Sequence, residues 1–289
     1  MQRRSLGENS GVEVSVIGLG AMPLSLSDKP GEAEGIRVIH AALDAGMTLI
    51  DTADVYCVDE RDMGANERLI REALARWPRR AEVVVATKGG LVRPGGAWIS
   101  RANARHLRAA CEASLRALGV DAITLYQLHA PDDDVPLEES VGALAELRRE
   151  GKIVHVGLSN VNAGELARAR AIVPIVSVQN RLSVMDRGDL RSGLVDLCAQ
   201  EGIVYLAYGP VGGAHGKRRV AADPTLSAIA AARGVSNFQV ALAWLLARSP
   251  AILPIPGASR AASAADSAGA AALRLSEAEL AALAAAFPG

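Results

Sequence analysis

Four side chains in this sequence have the types and settings for proton chemistry: Asp51, Tyr56, Lys88 and His129. Lys88 is the most telling. It ends the apolar run 83–88 in a chain with only three other lysines, Lys29, Lys152 and Lys217. An ammonium at the end of a fully apolar strand costs on the order of several kcal/mol unless a carboxylate compensates it. Asp51, which ends the run 48–51, is the natural partner. A Lys–Asp pair beside Tyr56 would favour phenolate, lower the tyrosine pKa from about 10 and make Tyr56 a proton donor at neutral pH. His129, at the end of the run 123–129, could then orient or polarise a carbonyl. Taken singly, each has a plainer reading: Asp51 as a turn cap, Tyr56 as amphipathic cover, His129 as a satisfied structural histidine.

The elements that must hold these residues repeat along the chain. Short apolar, β-branched runs at 16–20, 48–51, 83–88, 123–129, 153–157, 175–179, 203–208 and 252–255 read as eight strands. Between them apolar residues recur at helical spacing, as in Leu107, Cys111, Leu115 and Leu118, and several helices end at a glycine (Gly46, Gly119, Gly151, Gly202). The strands are continuous apolar runs, as expected of parallel strands covered by helices on the outside. Eight strand–helix units in about 250 residues predict an α/β fold, a single (β/α)8 TIM barrel, whose function sits at the C-terminal ends of the strands. Asp51, Lys88 and His129 all stand at such ends. An open doubly wound sheet would carry GxGxxG after its first strand, and Gly18-Leu19-Gly20-Ala21-Met22-Pro23 lacks the third glycine. Upstream, 3–6 and 12–15 flank the glycine-bounded segment 7–11, which predicts an N-terminal β-hairpin plugging the barrel bottom. An extra helix over 237–247 precedes the last strand, and further helices end the chain. With no linker or composition shift, residues 1–289 read as one domain.

Composition excludes other classes. Half the residues are hydrophobic and 22% are charged, which supports a sizeable core and rules out bulk disorder. Lys+Arg is 31 against Asp+Glu 32, so the clustered basic excess of a nucleic-acid binder is missing. Only 3% is aromatic, too little for a base-stacking surface. Mean hydropathy is +0.18, yet no run approaches the roughly 20 apolar residues of a spanning helix, and the excess is Ala and Gly. No membrane partner is expected. The opening MQRRSLGENSG has no signal-peptide core, and Cys57, Cys111 and Cys198 show no CxxC pairing. Reduced thiols, a cytoplasmic location and no metal site are expected. Asp132-Asp133-Asp134 reads as a solvated run, because three adjacent carboxylates cannot converge on one ion.

The segments around these residues resemble the aldo-keto reductase family. They are LDAGMTLIDTADVYCVDERDMGANERLIREAL around Asp51 and Tyr56, VVVATKGG around Lys88, LYQLHAPD around His129, then GKIVHVGLSN, VQNRLS, YGP and IPGASR in the family's order. The resemblance spans nearly the whole chain. It implies Tyr56 as general acid, Lys88 and Asp51 tuning it, and His129 positioning the carbonyl. It also implies a nicotinamide held through its carboxamide by Ser159, Asn160 and Gln179, with Tyr208 stacked on the ring and Gly209 and Pro210 following. Ser159 and Asn160 have a second reading, as the N-cap of the next helix. The loop Gly257-Ala258-Ser259-Arg260 offers backbone N–H groups, a hydroxyl and a guanidinium, a combination suited to a 2′-phosphate, so NADP(H) is favoured.

This chain also departs from the family. It has Tyr208-Gly209-Pro210-Val211 where relatives commonly read Tyr-Ser-Pro-Leu, a shortened loop before Lys217, the expected phosphate contact, and Ser263 and Ser267 where Gln and Asn grip adenine. A weaker adenosine grip follows. The resemblance implies reduction of an aldehyde or ketone. Oxidation of a sugar or alcohol, and a slow cofactor-sensing subunit that keeps the fold, are the alternatives. Substrate choice falls to the loops 24–31, 92–100, 131–136 and 182–188. Trp98 is their only aromatic and is expected to line the carbonyl pocket. The sequence carries no signal for an oligomeric state.

Overall fold

The apolar runs become eight parallel strands. In a computed structural model that describes residues 1–8, 10–26 and 29–287 (of residues 214 and 215, the backbone alone), they are β1 Leu19–Gly20, β2 Leu49–Asp51, β3 Val84–Gly89, β4 Ile123–Leu128, β5 Ile153–Ser159, β6 Ile175–Arg181, β7 Val204–Tyr208 and β8 Ile252–Ile255. They lie side by side in chain order, each parallel to the next. The sheet closes into a barrel where the Gly18 and Gly20 N–H groups donate to the carbonyls of Pro254 and Pro256, both at 3.0 Å, and Gly20 bridges Gly257. Closure requires glycine at position 20, since a Cβ there would stand 2.7 Å from the Ile255 carbonyl oxygen.

Alternation along each strand then sorts side chains between two apolar layers. Leu49, Val84, Ala86, Leu125, Leu206 and Leu253 fill the barrel interior. Tyr126, Val156, Val178 and Tyr205 face outward into the shell shared with the helices, among Leu144, Leu147, Val195 and Trp244. Each such Leu or Val contributes roughly 1.5–3 kcal/mol relative to exposure, which makes these layers the main source of stability. The expected plug is present. Strands Arg3–Ser5 and Glu13–Ser15 pair antiparallel, and Leu6 and Val14 are wholly buried in the interior layer beside the starts of β2 and β3. Asn9, within the segment 7–11, lies outside the described residues.

Helices α1 Glu32–Asp44, α2 Ala65–Ala75, α3 Ala104–Leu118, α4 Leu137–Arg149 and α5 Ala163–Arg170 alternate with the strands. They are followed by α6 Gly188–Arg191, α7 Leu194–Gln200, α8 Gly213–Ala222, α9 Pro224–Arg233, α10 Asn237–Arg248, α11 Ala261–Gly269 and α12 Glu277–Ala286. Local sequence sets their ends. Asn103 caps α3 by accepting from His106 N–H, Asn162 and Glu165 form a capping box on α5, and Gly119 ends α3 in the left-handed region. The extra helix expected before the last strand is α10. Among the described residues no single helix is long and apolar enough to cross a membrane, and the apolar pair α9 and α10 is bent by 97°. All three cysteines are buried and unbridged.

One element was not legible. The run 92–100, read as a loop, begins and ends in a small antiparallel hairpin pairing Leu91–Val92 with Ile99–Ser100. Strands of two residues leave no periodic signal, and the Pro94-Gly95-Gly96 turn between them reads as loop. This hairpin carries Arg93 and Trp98 to the mouth of the barrel.

Candidate active site

β2 and β3 bring Asp51 and Lys88 together. Asp51 pairs with Ala86, so Lys88, two residues further along β3, projects from the same face. Its side chain is fully buried and all three ammonium hydrogens have acceptors: Asp51 Oδ2 at 2.7 Å, the Thr52 carbonyl at 2.8 Å and Tyr56 Oη at 3.0 Å. From the far side of the barrel, Gln179 on β6 donates through Nε2 to Asp51 Oδ1 at 2.7 Å. Tyr56 lies in the loop after β2. Ser25 donates to its carbonyl at 2.5 Å, and Thr52 donates to Asn66 Oδ1 at 2.6 Å to tie the same loop to α2. His129 follows β4, its backbone N–H donating to Gly89, and its ring meets that of Tyr56 edge-on at 5.8 Å and 82°. Only 7% of Tyr56 and 8% of His129 is exposed, so the two rings form the floor of the barrel mouth. The four residues expected to act together do meet.

The electrostatics correct one expectation. Lys88 does pull the Tyr56 phenol toward ionisation, but burial outweighs it and Asp51 opposes it, so the pKa lies above its ordinary value and the proton stays on. Burial alone would depress Lys88; Asp51 and Tyr56 more than offset that and hold it charged. Burial, reinforced by Lys88, pushes His129 well below the usual histidine range, leaving a neutral imidazole at pH 7. The site therefore combines a protonated phenol, a cation that would stabilise its conjugate base, and an imidazole able to donate one N–H.

The residues expected to hold a cofactor surround this floor. Ser159 ends β5 and is buried. Asn160 is the one non-glycine residue with positive φ among those described, at 58°. That conformation lets its amide donate to the His129 carbonyl at 2.9 Å while its oxygen accepts from Tyr208 Oη at 2.9 Å. The alternative reading of Ser159 and Asn160 as a helix cap fails, because Asn162 caps α5. Tyr208, partly exposed at the end of β7, has the Arg181 guanidinium 5.5 Å from its ring centre, and Gly209 and Pro210 turn away from it toward α8. Lys217 is exposed on α8 with its ammonium 5.6 Å from the Phe238 ring centre.

Gly257 closes the barrel beside Gly20, leaving Ser259 and Arg260 exposed at the head of α11. No side chain caps that helix, and no described residue pairs with the Arg260 guanidinium. Uncapped N–H groups, a hydroxyl and an uncommitted guanidinium fit a phosphate. Ser267 is buried and Ser263 half-buried on the same helix.

Two features were not foreseen. Gln179 is tied to Asp51, and Arg93 stacks on Trp98 with its Cζ 3.9 Å from the ring centre. Trp98, as expected, reaches the floor, its ring 6.3 Å from Tyr56 and 6.4 Å from His129. Behind β3, Asp54 and Glu67 are also buried, with both oxygens of Asp54 and Oε2 of Glu67 unpartnered. Burial first, then each other's proximity in the case of Asp54, raises both above the ordinary carboxylate range.

The sequence model of the Aldo/keto reductase family matches residues 16–287, and this chain belongs to that family. It is 35% identical to probable aldo-keto reductase 1 of Glycine max over 299 residues, covering 93% of this chain and 84% of that protein. Among solved structures it resembles the glycerol dehydrogenase AKR11B4 from Gluconobacter oxydans, with TM-score 0.84 and 27% identity over 98% of this chain and 94% of the other. It also resembles an aldo-keto reductase from Klebsiella pneumoniae in complex with NADPH, with TM-score 0.83 and 28% identity over 100% of this chain and 96% of the other.

Proposed function

We propose that this protein is a cytoplasmic, single-domain oxidoreductase that uses NADPH to reduce the carbonyl of a small aldehyde, ketone or sugar-like compound, with Tyr56 as general acid. The observation that carries the reading is the 3.0 Å contact between Lys88 Nζ and Tyr56 Oη inside a buried Lys88–Asp51 pair. The reduced nicotinamide, when bound, supplies the hydride; Ser159, Asn160 and Gln179 would hold its carboxamide, Tyr208 would face its ring, and Ser259 and Arg260 would take the 2′-phosphate. NADPH bound to the Klebsiella pneumoniae relative supports that choice of cofactor.

The chain's own residues do the rest. Neutral His129 donates an N–H to the carbonyl oxygen and holds it over Tyr56. As negative charge develops on that oxygen, Tyr56 delivers its proton. The phenolate left behind is stabilised by the Lys88 ammonium, which Asp51 keeps charged, and Gln179 keeps Asp51 in place. Proton delivery by a positioned acid is worth about 10²–10⁴ in rate.

The test is NADPH oxidation with a panel of aldehydes, ketones and aldoses, run beside alcohol oxidation with NADP. Carbonyl-dependent turnover supports the reading. Tight NADPH binding without turnover in either direction would leave a cofactor-sensing role instead.

A further inference from the structure

We propose that Arg93 selects substrates, favouring carbonyl compounds that carry a carboxylate or similar anion a few bonds from the reacting carbon. The inference rests on the carbonyl-reducing reading above and names the class of substrate it serves.

Arg93 is only 6% exposed. One amino group, Nη2, donates to the carbonyls of Cys57 and Val58, at 3.2 and 3.1 Å, in the loop that carries Tyr56. The other two nitrogens, Nε and Nη1, which point to different sides of the guanidinium, are buried without a hydrogen-bond partner. A buried cation normally has a carboxylate beside it, because an unpaired buried charge is strongly unfavourable. The acids nearest in sequence are committed elsewhere: Asp59 to Arg61, Asp62 to Arg68, and Glu60 to the N–H of Gly95. None of them pairs with Arg93.

The flat face of the guanidinium is covered by a single ring, that of Trp98, which also meets Tyr56 and His129. Trp98 is 46% exposed, and Val58 and Ile99 are exposed as well, so the ring stands at the open rim of the mouth. An anionic group entering along Trp98 would bring an acceptor oxygen to Nε or Nη1, a single charge-assisted contact to a donor that lacks one. The same ligand would leave its carbonyl over Tyr56 and His129. A purely structural Arg93, pinning the 57–58 loop, would treat charged and neutral substrates alike.

A matched pair separates these roles: 4-carboxybenzaldehyde and its methyl ester, assayed with NADPH. The wild type should favour the acid in kcat/KM. Arg93→Gln should cut the acid-to-ester ratio about ten- to a hundredfold, and Arg93→Lys, which keeps the charge, should restore part of it. Wild-type preference for the ester, or equal loss on both substrates in Arg93→Gln, would overturn the proposal. If the wild type reduces neither aldehyde while binding NADPH, the proposed reaction fails and recognition is read separately, from binding of benzoate against benzamide to the NADPH complex. Benzoate should then bind about tenfold more tightly, quenching tryptophan fluorescence. Equal binding would overturn the selection by charge.

Discussion

The two ends of this site are built on opposite terms. At the floor, Lys88, Asp51 and Gln179 are buried, Asp51 bonded to both of the others, and sit on strands whose positions the barrel fixes. At the adenosine end, Ser259 and Arg260 are exposed on a loop and wait for a partner. A buried, bonded cluster tolerates no loss, because removing one member strands another away from water. An exposed, uncommitted guanidinium is loosely coupled to the fold, so its loss is felt in binding alone. The floor should therefore control chemistry and stability together, and the rim should control affinity by itself.

The largest departure is expected from Lys88→Met, which leaves the Asp51 carboxylate buried with only Gln179 to satisfy it. Breaking such a pair costs about 3–5 kcal/mol. Denaturant unfolding should show that loss, and carbonyl reduction should disappear in parallel. A variant as stable as the parent would erase the contrast between floor and rim.

Arg260→Ala should weaken NADP(H) by about ten- to a hundredfold, leave NAD(H) nearly unchanged and leave the unfolding midpoint unmoved. Added salt should shrink the wild-type preference, since exposed charge pairs are screened. Equal weakening of both cofactors would mean that Arg260 shapes the loop and does not read the phosphate. The comparison should be visible because Ser263 and Ser267 offer little else on that helix.

The smallest effect sharpens the same point from behind β3. Asp54 is buried with both oxygens unpartnered and its pKa raised, so the folded protein holds a proton that the unfolded chain releases. Stability contributed by that site is complete at acid pH and falls as pH rises from the ordinary carboxylate range, near 4, toward the folded pKa. Asp54→Asn removes this dependence, and its amide could donate toward Glu67 Oε2. The variant should melt about 2–4 °C above the parent at pH 8 and level with it at pH 4. A difference that does not change with pH would mean Asp54 is ionised in the fold.

Much of the floor was legible because it depends on strand ends. Once eight parallel strands are read, Asp51, Lys88 and His129 must converge, since a barrel turns every C-terminal end toward one mouth. The Gln179–Asp51 bond was not legible in this way. It joins β2 to β6 across the interior, and only closure at Gly20 and Gly257 sets that distance. The sign of the Tyr56 shift was not legible for a related reason: the sequence displays the neighbouring cation but not the depth at which the phenol is buried. Arg93 was not legible because it rides on a hairpin of two-residue strands, too short for any periodicity, and its meaning comes from partners it lacks.

The central claim is that Tyr56 supplies the proton and does little to hold the cofactor. Tyr56→Phe keeps the ring against Trp98 and His129 and removes only the hydroxyl that Lys88 contacts. Single-turnover carbonyl reduction by the preformed NADPH complex should slow by about 10²–10⁴, while the dissociation constant for NADPH, titrated by fluorescence on the same protein, changes less than about threefold. Near-normal turnover, or a loss fully explained by weaker NADPH binding, would contradict the account.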